Sequence, residues 1–64
     1  MTKADRKRLD RITALASTEP AWCAATLATM HRCAATARDA RHYADIAAGL
    51  RLPVRYVNGC MVPA

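Results

Sequence analysis

The apolar positions of this chain fall into three helical stripes followed by one short segment of a different kind. Over residues 3–17, Leu9, Ile12, Leu15 and Ala16 recur at the three- and four-residue spacing that puts side chains on one helix face. Thr2 stands just ahead of the stripe with Asp5 three residues on, a short form of the capping box. Ser17-Thr18-Glu19-Pro20 interrupts it. Ser or Thr can cap the next helix there, and Pro20 is tolerated in a first turn because its missing N–H has no helical partner to lose. A second helix is predicted over about 20–35, with Cys23, Leu27, Met30 and Ala34 in one stripe and Trp22, Ala25 and Thr29 beside it. Residues 36–41 hold neither Gly nor Pro, so one continuous helix from Pro20 to Leu50 competes with a break at 36–39. The break is preferred, because Asp39 can cap a new helix and so short a chain must fold its elements back on one another. A third helix over about 40–50 then carries Tyr43, Ile46, Ala47 and Leu50 on one face, and Leu52-Pro53 ends it.

Residues 53–62 admit two readings. As a helix, Pro53 sits near its start and Val54, Val57 and Met61 share a face. As a β-hairpin, Val54-Arg55-Tyr56-Val57 and Cys60-Met61-Val62 flank Asn58-Gly59, a strong two-residue turn signal. The β-branched content favours the hairpin, and Gly59 costs about 1 kcal/mol inside a helix.

The fold class expected is therefore mainly α: a single small domain over 1–64 of three to four helices with a helix-turn-helix-like C-terminal half. The alternative is helices plus a C-terminal β-hairpin at 53–62. Length adds a constraint. A chain of 64 residues buries only about 60% of its unfolded surface. Of its 53% apolar residues, fifteen are Ala, so the core is thin and a dimer or larger partner would complete it. That size excludes multidomain enzymes. Ten Lys and Arg against five Asp and Glu give a formal charge of +5, and eight of the ten cations are Arg. The guanidinium fork suits phosphate, carboxylate and guanine edges. Such a charge attracts nucleic acid, anionic lipid or an acidic protein surface. An odd cysteine count argues against a disulfide framework. The charged stretch 1–8 leads into no apolar run, so no signal peptide is expected, and the weakly polar run 20–30 is too short to cross a bilayer. A reduced, cytoplasmic protein with no membrane association is the expectation.

The stretch Tyr43-Ala44-Asp45-Ile46-Ala47-Ala48-Gly49-Leu50-Arg51-Leu52-Pro53-Val54-Arg55-Tyr56-Val57-Asn58 resembles the helix-turn-helix of winged-helix and related bacterial DNA-binding regulators, over residues 43–61. Ile46-Ala47 with Leu50 matches the end of the first helix, Leu52 the apolar residue after the turn, and Val57 the inward residue of the second helix. Ala47 supplies the small residue that two steeply crossing helices need at their contact. The resemblance implies that 53–61 is a recognition helix with Arg55, Tyr56, Asn58 and Gly59 facing outward. Arg55 would then bond a guanine and Asn58 an adenine. Arg38, Arg41 and Arg51 would hold phosphates, and Lys3, Arg6, Lys7 and Arg11 would add a second backbone contact. The chain departs from the family pattern in having Arg51 where a turn Gly is usual, with Gly49 two residues early, and no wing is expected after it.

Other chemistry is sparse. His31 and Cys33 are the one close pair of zinc-type ligands, and on a helix they point to different faces, so no metal is expected. No nucleophile elbow, P-loop or glycine-rich phosphate cradle is present, so the expectation is no enzyme activity, no catalytic residue and no cofactor. Asp39, Asp45 and His42 are expected to pair with Arg38 and Arg41, and Trp22 to anchor the core or an interface. Two functions follow. One is a DNA-binding transcriptional regulator of a phage or mobile element, acting as a homodimer with 53–61 in the major groove. The other is a protein-binding inhibitor that blocks a nucleic-acid-handling complex through an acidic patch. In its small size and lack of catalytic motifs the chain looks like phage anti-defence proteins, anti-CRISPR proteins among them. A C-terminal hairpin favours the second.

Overall fold

A threonine hydroxyl starts the first and third helices and a proline the second. In the computed structural model of residues 1–64, α1 spans Lys3–Leu15, α2 Pro20–Arg32 and α3 Ala37–Gly49, followed by β1 (Val54–Val57) and β2 (Cys60–Pro63). The Thr2 hydroxyl accepts the Asp5 amide, and the Asp5 carboxylate accepts the Thr2 amide, both at 3.1 Å, completing the expected capping box. The N-cap of α2 is Glu19 and makes no side-chain cap bond. The Ser or Thr cap expected there is not formed, because the Thr18 hydroxyl turns back to the Leu15 carbonyl at 3.5 Å. The cap of α3 also differs from expectation. Thr36 holds an extended backbone and its hydroxyl accepts the Asp39 amide at 3.1 Å, so Asp39 is the third residue of the helix rather than its cap. The break between α2 and α3 is accordingly short, residues 33–36.

The end of α3 explains how the chain turns without glycine. The Leu52 amide donates to the Ala47 carbonyl at 3.0 Å and the Arg51 amide to the Ala48 carbonyl at 3.2 Å. These are the two bonds of a Schellman motif, with Arg51 at the left-handed position (φ 53°) that Gly usually fills. Leu52 and Ala47 are both buried, as the motif's accompanying apolar contact requires.

Helix α2 is the centre of the molecule. Its Cys23, Ala24, Leu27, Ala28 and Met30 are buried together with Leu9 and Ile12 of α1, Tyr43 and Ala47 of α3, and Leu52 and Met61. The Cys23 thiol donates to the Ile12 carbonyl at 3.3 Å, tying α1 to α2.

The recognition helix expected over 53–61 does not form; the hairpin alternative does. Asn58 (φ 51°) and Gly59 (φ 80°) both hold left-handed backbone, the requirement of a type I′ turn. A helix would instead have had to bury Gly59's entropy cost and the stiff χ1 of Val54 and Val57. The strands pair antiparallel, Val57 with Cys60, Tyr56 with Met61, Arg55 with Val62 and Val54 with Pro63. Alternation puts Met61 on the inner face, 1% exposed against α2, and Arg55 on the outer one. The Ala64 amide extends the ladder to the Pro53 carbonyl at 2.8 Å. No helix is long and apolar enough to cross a membrane.

Candidate nucleic-acid interface

Cations dominate the surface because few are neutralised. Of the ten Lys and Arg, only Arg8 lies within ion-pair reach of a carboxylate, Asp5 at 3.8 Å. The other ion pair joins the Met1 amine to Asp39 at 3.6 Å. Arg38 and Arg41 therefore do not pair with Asp39 or Asp45, contrary to the sequence expectation.

The sequence-predicted binding residues separate into three groups. Arg38 and Arg41 lie exposed on the first two turns of α3, with His42 and Asp45 on the same exposed side and Tyr43 and Ala47 turned into the core. Arg51 stands past the far end of that helix, about 17 Å of helical rise away. Arg55, Tyr56 and Asn58 belong to the hairpin rather than to a helix. Arg55 points outward opposite Val62, and Asn58 is committed to the turn. Tyr56 is 51% exposed and meets His31 edge-on, ring centroids 6.0 Å apart. The structure thus places Arg38 and Arg41 together, and does not bring Arg55 and Asn58 onto one helix face with them.

The secondary set lies along α1. Lys3, Lys7 and Arg11 occupy successive i, i+4 positions on the side away from Leu9 and Ile12, with Arg6 exposed beside them. Arg11 extends over the indole of Trp22, 5.8 Å from its ring centroid. Trp22 is 41% exposed, so it is no core anchor. His42, which the sequence grouped with Asp39 and Asp45 as a neighbour of Arg38 and Arg41 and not as a binding residue, is exposed one helical turn after Arg38.

Three further ionisable groups are perturbed by the fold around them. The Thr2 backbone amide foremost, with the Thr2 side chain beside it, holds the Asp5 carboxyl below its ordinary value. Burial pushes the Cys23 thiol up, with Glu19 adding to it. Burial likewise raises the Tyr43 phenol, helped by Asp5 and Asp39. Asp5, Asp39, Cys33 and Tyr43 line a cavity of about 350 Å³ between α1, α2 and α3. Neither Cys33 nor Tyr43 hydrogen-bonds a carboxylate there. No three His, Cys, Asp or Glu side chains converge as a metal ion would require.

No protein-family model matches the chain, and neither a curated protein nor a solved structure is significantly similar to it.

Proposed function

We propose that this chain is a small DNA-binding protein in which α2, the connector 33–36 and α3 act as the helix-turn-helix, with α3 as the reading helix. The carrying observation is the first half of α3: Arg38, Arg41 and His42 are exposed, unpaired, and aligned behind the Thr36 cap. A connector of four residues has the length such a unit uses, and its second helix enters the major groove by its N-terminal residues. This shifts the reading helix from 53–61, where the sequence resemblance put it, to 37–49. The hairpin then follows the reading helix in chain order, where a winged-helix protein has its wing. The unneutralised cations supply the phosphate contacts. A role as transcriptional regulator in a phage or mobile element belongs to the same proposal.

Fluorescence anisotropy of labelled duplex DNA, titrated with salt, tests it. Binding that weakens steeply with salt supports the reading, since each neutralised phosphate adds about 0.9 to the slope. An Arg38→Ala, Arg41→Ala double variant should lose sequence preference as well as affinity. A folded sample that binds no duplex at low salt refutes it.

One observation favours the inhibitor reading. The segment 54–63 is a hairpin, and its exposed Tyr56 and Val57 offer apolar contact area beside Arg55. In that case the chain would bind an acidic face of a nucleic-acid-handling protein, with duplex binding absent and hairpin variants abolishing capture of that protein.

A further inference from the structure

The hairpin has two edges, and they are not equivalent. In a hairpin closed by a two-residue turn, Val57, Arg55 and Pro53 direct their backbone groups at β2, while Tyr56 and Val54 direct theirs outward. On β2 the outward residues are Met61 and Pro63. The Met61 amide donates to the His31 ring at 3.4 Å, and Pro63 has no amide hydrogen. The β2 edge is therefore closed to further strand pairing. On β1 the Val54 amide donates to the Leu52 carbonyl at 2.9 Å, and only the Tyr56 amide has no partner within the chain.

We propose that β1 is a docking edge for a second copy of this chain, the two strands pairing antiparallel about a two-fold axis at Tyr56. Two observations and the geometry of the pairing argue for that occupant and register. First, β1 carries two of the four large apolar side chains left exposed, Tyr56 at 51% and Val57 at 42%. Second, the register is self-complementary: each Tyr56 amide donates to the partner's Tyr56 carbonyl, the phenol rings form a cross-strand pair, and Arg55 lies opposite the partner's Val57. Third, the register centred on Arg55 is blocked twice. It would need the Val54 amide, already bonded to Leu52, and it would set Arg55 against the partner's Arg55. The product is a four-stranded sheet running across the two chains. This inference is independent of the nucleic-acid reading.

Sedimentation equilibrium of the full chain, without nucleic acid and from micromolar to millimolar concentration, tests it. The wild-type chain is expected to dimerise reversibly. Tyr56→Pro removes the free edge donor and costs no hairpin bond, because that amide faces outward. A synthetic chain N-methylated at Tyr56 removes the same hydrogen and keeps the side chain. Both are expected to raise the dimer dissociation constant ten-fold or more, with unchanged far-ultraviolet circular dichroism. A wild-type chain that stays monomeric throughout overturns the proposal. So does a dimer that survives both changes, or one abolished by Trp22→Ala and kept in Tyr56→Pro.

Discussion

The ring nitrogen Nδ1 of His31 accepts the backbone amide of Met61, thirty residues further along the chain, at 3.4 Å. This bond fastens the hairpin to the last turn of α2 and closes the β2 edge. Met61 is buried, so the amide finds no water in its place. Replacing His31 by Phe keeps a ring against Tyr56 and removes the acceptor. The expected cost is about 1–3 kcal/mol of unfolding free energy, read from urea denaturation. Amide exchange at Met61 should accelerate more than at Leu27. Unchanged stability and unchanged exchange would show that the bond contributes nothing.

Arg51 occupies left-handed backbone (φ 53°) at the end of α3, a conformation that costs a side-chain-bearing residue about 1–2 kcal/mol. Arg51→Gly relieves it while enlarging the unfolded ensemble, so the net gain should be about 1 kcal/mol or less. For a chain this small that corresponds to a rise in Tm of about 4–8 °C per kcal/mol. A fall in Tm would mean that the Arg51 side chain stabilises the turn by more than its backbone strain.

What was legible in the sequence divides by the range of the forces involved. The three helices follow from local spacing and caps, and the Thr2–Asp5 box forms as written. Asn58-Gly59 carries its own backbone preference, which is why the hairpin alternative was visible. The helical alternative for 53–61 arose because Val54, Val57 and Met61 satisfy a three-four spacing as well as strand alternation. The Asn58-Gly59 turn and the β-branched residues favour the hairpin locally, and the docking of Met61 against α2, held by the bond to His31 thirty residues away, adds to them. The cap of α3 went to Thr36 rather than Asp39 because both are capping residue types and the choice depends on where the connector turns. The candidate surface was half legible. The cations were countable, but that Arg38 and Arg41 stay unpaired and that Arg55 sits on a strand and not on a helix depends on tertiary placement.

The three thiols should differ in reactivity. Cys23 is buried and its thiol is pushed up by desolvation and then by Glu19, whereas Cys33 and Cys60 are exposed. Titration of the native protein with Ellman's reagent at neutral pH should modify two thiols quickly and the third only in denaturant. Rapid modification of all three would show that α1 and α2 separate readily.

Asp5 gives stability an acid-side dependence. Its folded carboxyl is held below the ordinary value of 3.8 by the Thr2 amide foremost and then by the Thr2 side chain. The stabilisation is therefore complete above that ordinary value and disappears as pH falls through the lower folded one. Thermal unfolding between neutral pH and pH about 2 should show a loss in this range that Asp5→Asn abolishes. A wild-type chain and a variant with parallel pH profiles would rule the linkage out.

The two cationic faces should separate in their response to DNA sequence. Lys3, Lys7 and Arg11 on α1 face away from the core; under the DNA-binding proposal they would contact phosphates, which carry no sequence information. Replacing all three by Gln should weaken binding to every duplex alike and lower the salt slope by about 0.9 for each cation that was in contact. The same change removes the guanidinium from Trp22, the chain's single tryptophan, so its fluorescence reports directly on that face. Variants at Arg38 or Arg41 should leave the tryptophan signal unchanged and alter which duplexes are preferred. If the α1 variant changed sequence preference and the α3 variants changed only the salt slope, α1 would be the reading element and α3 the phosphate clamp.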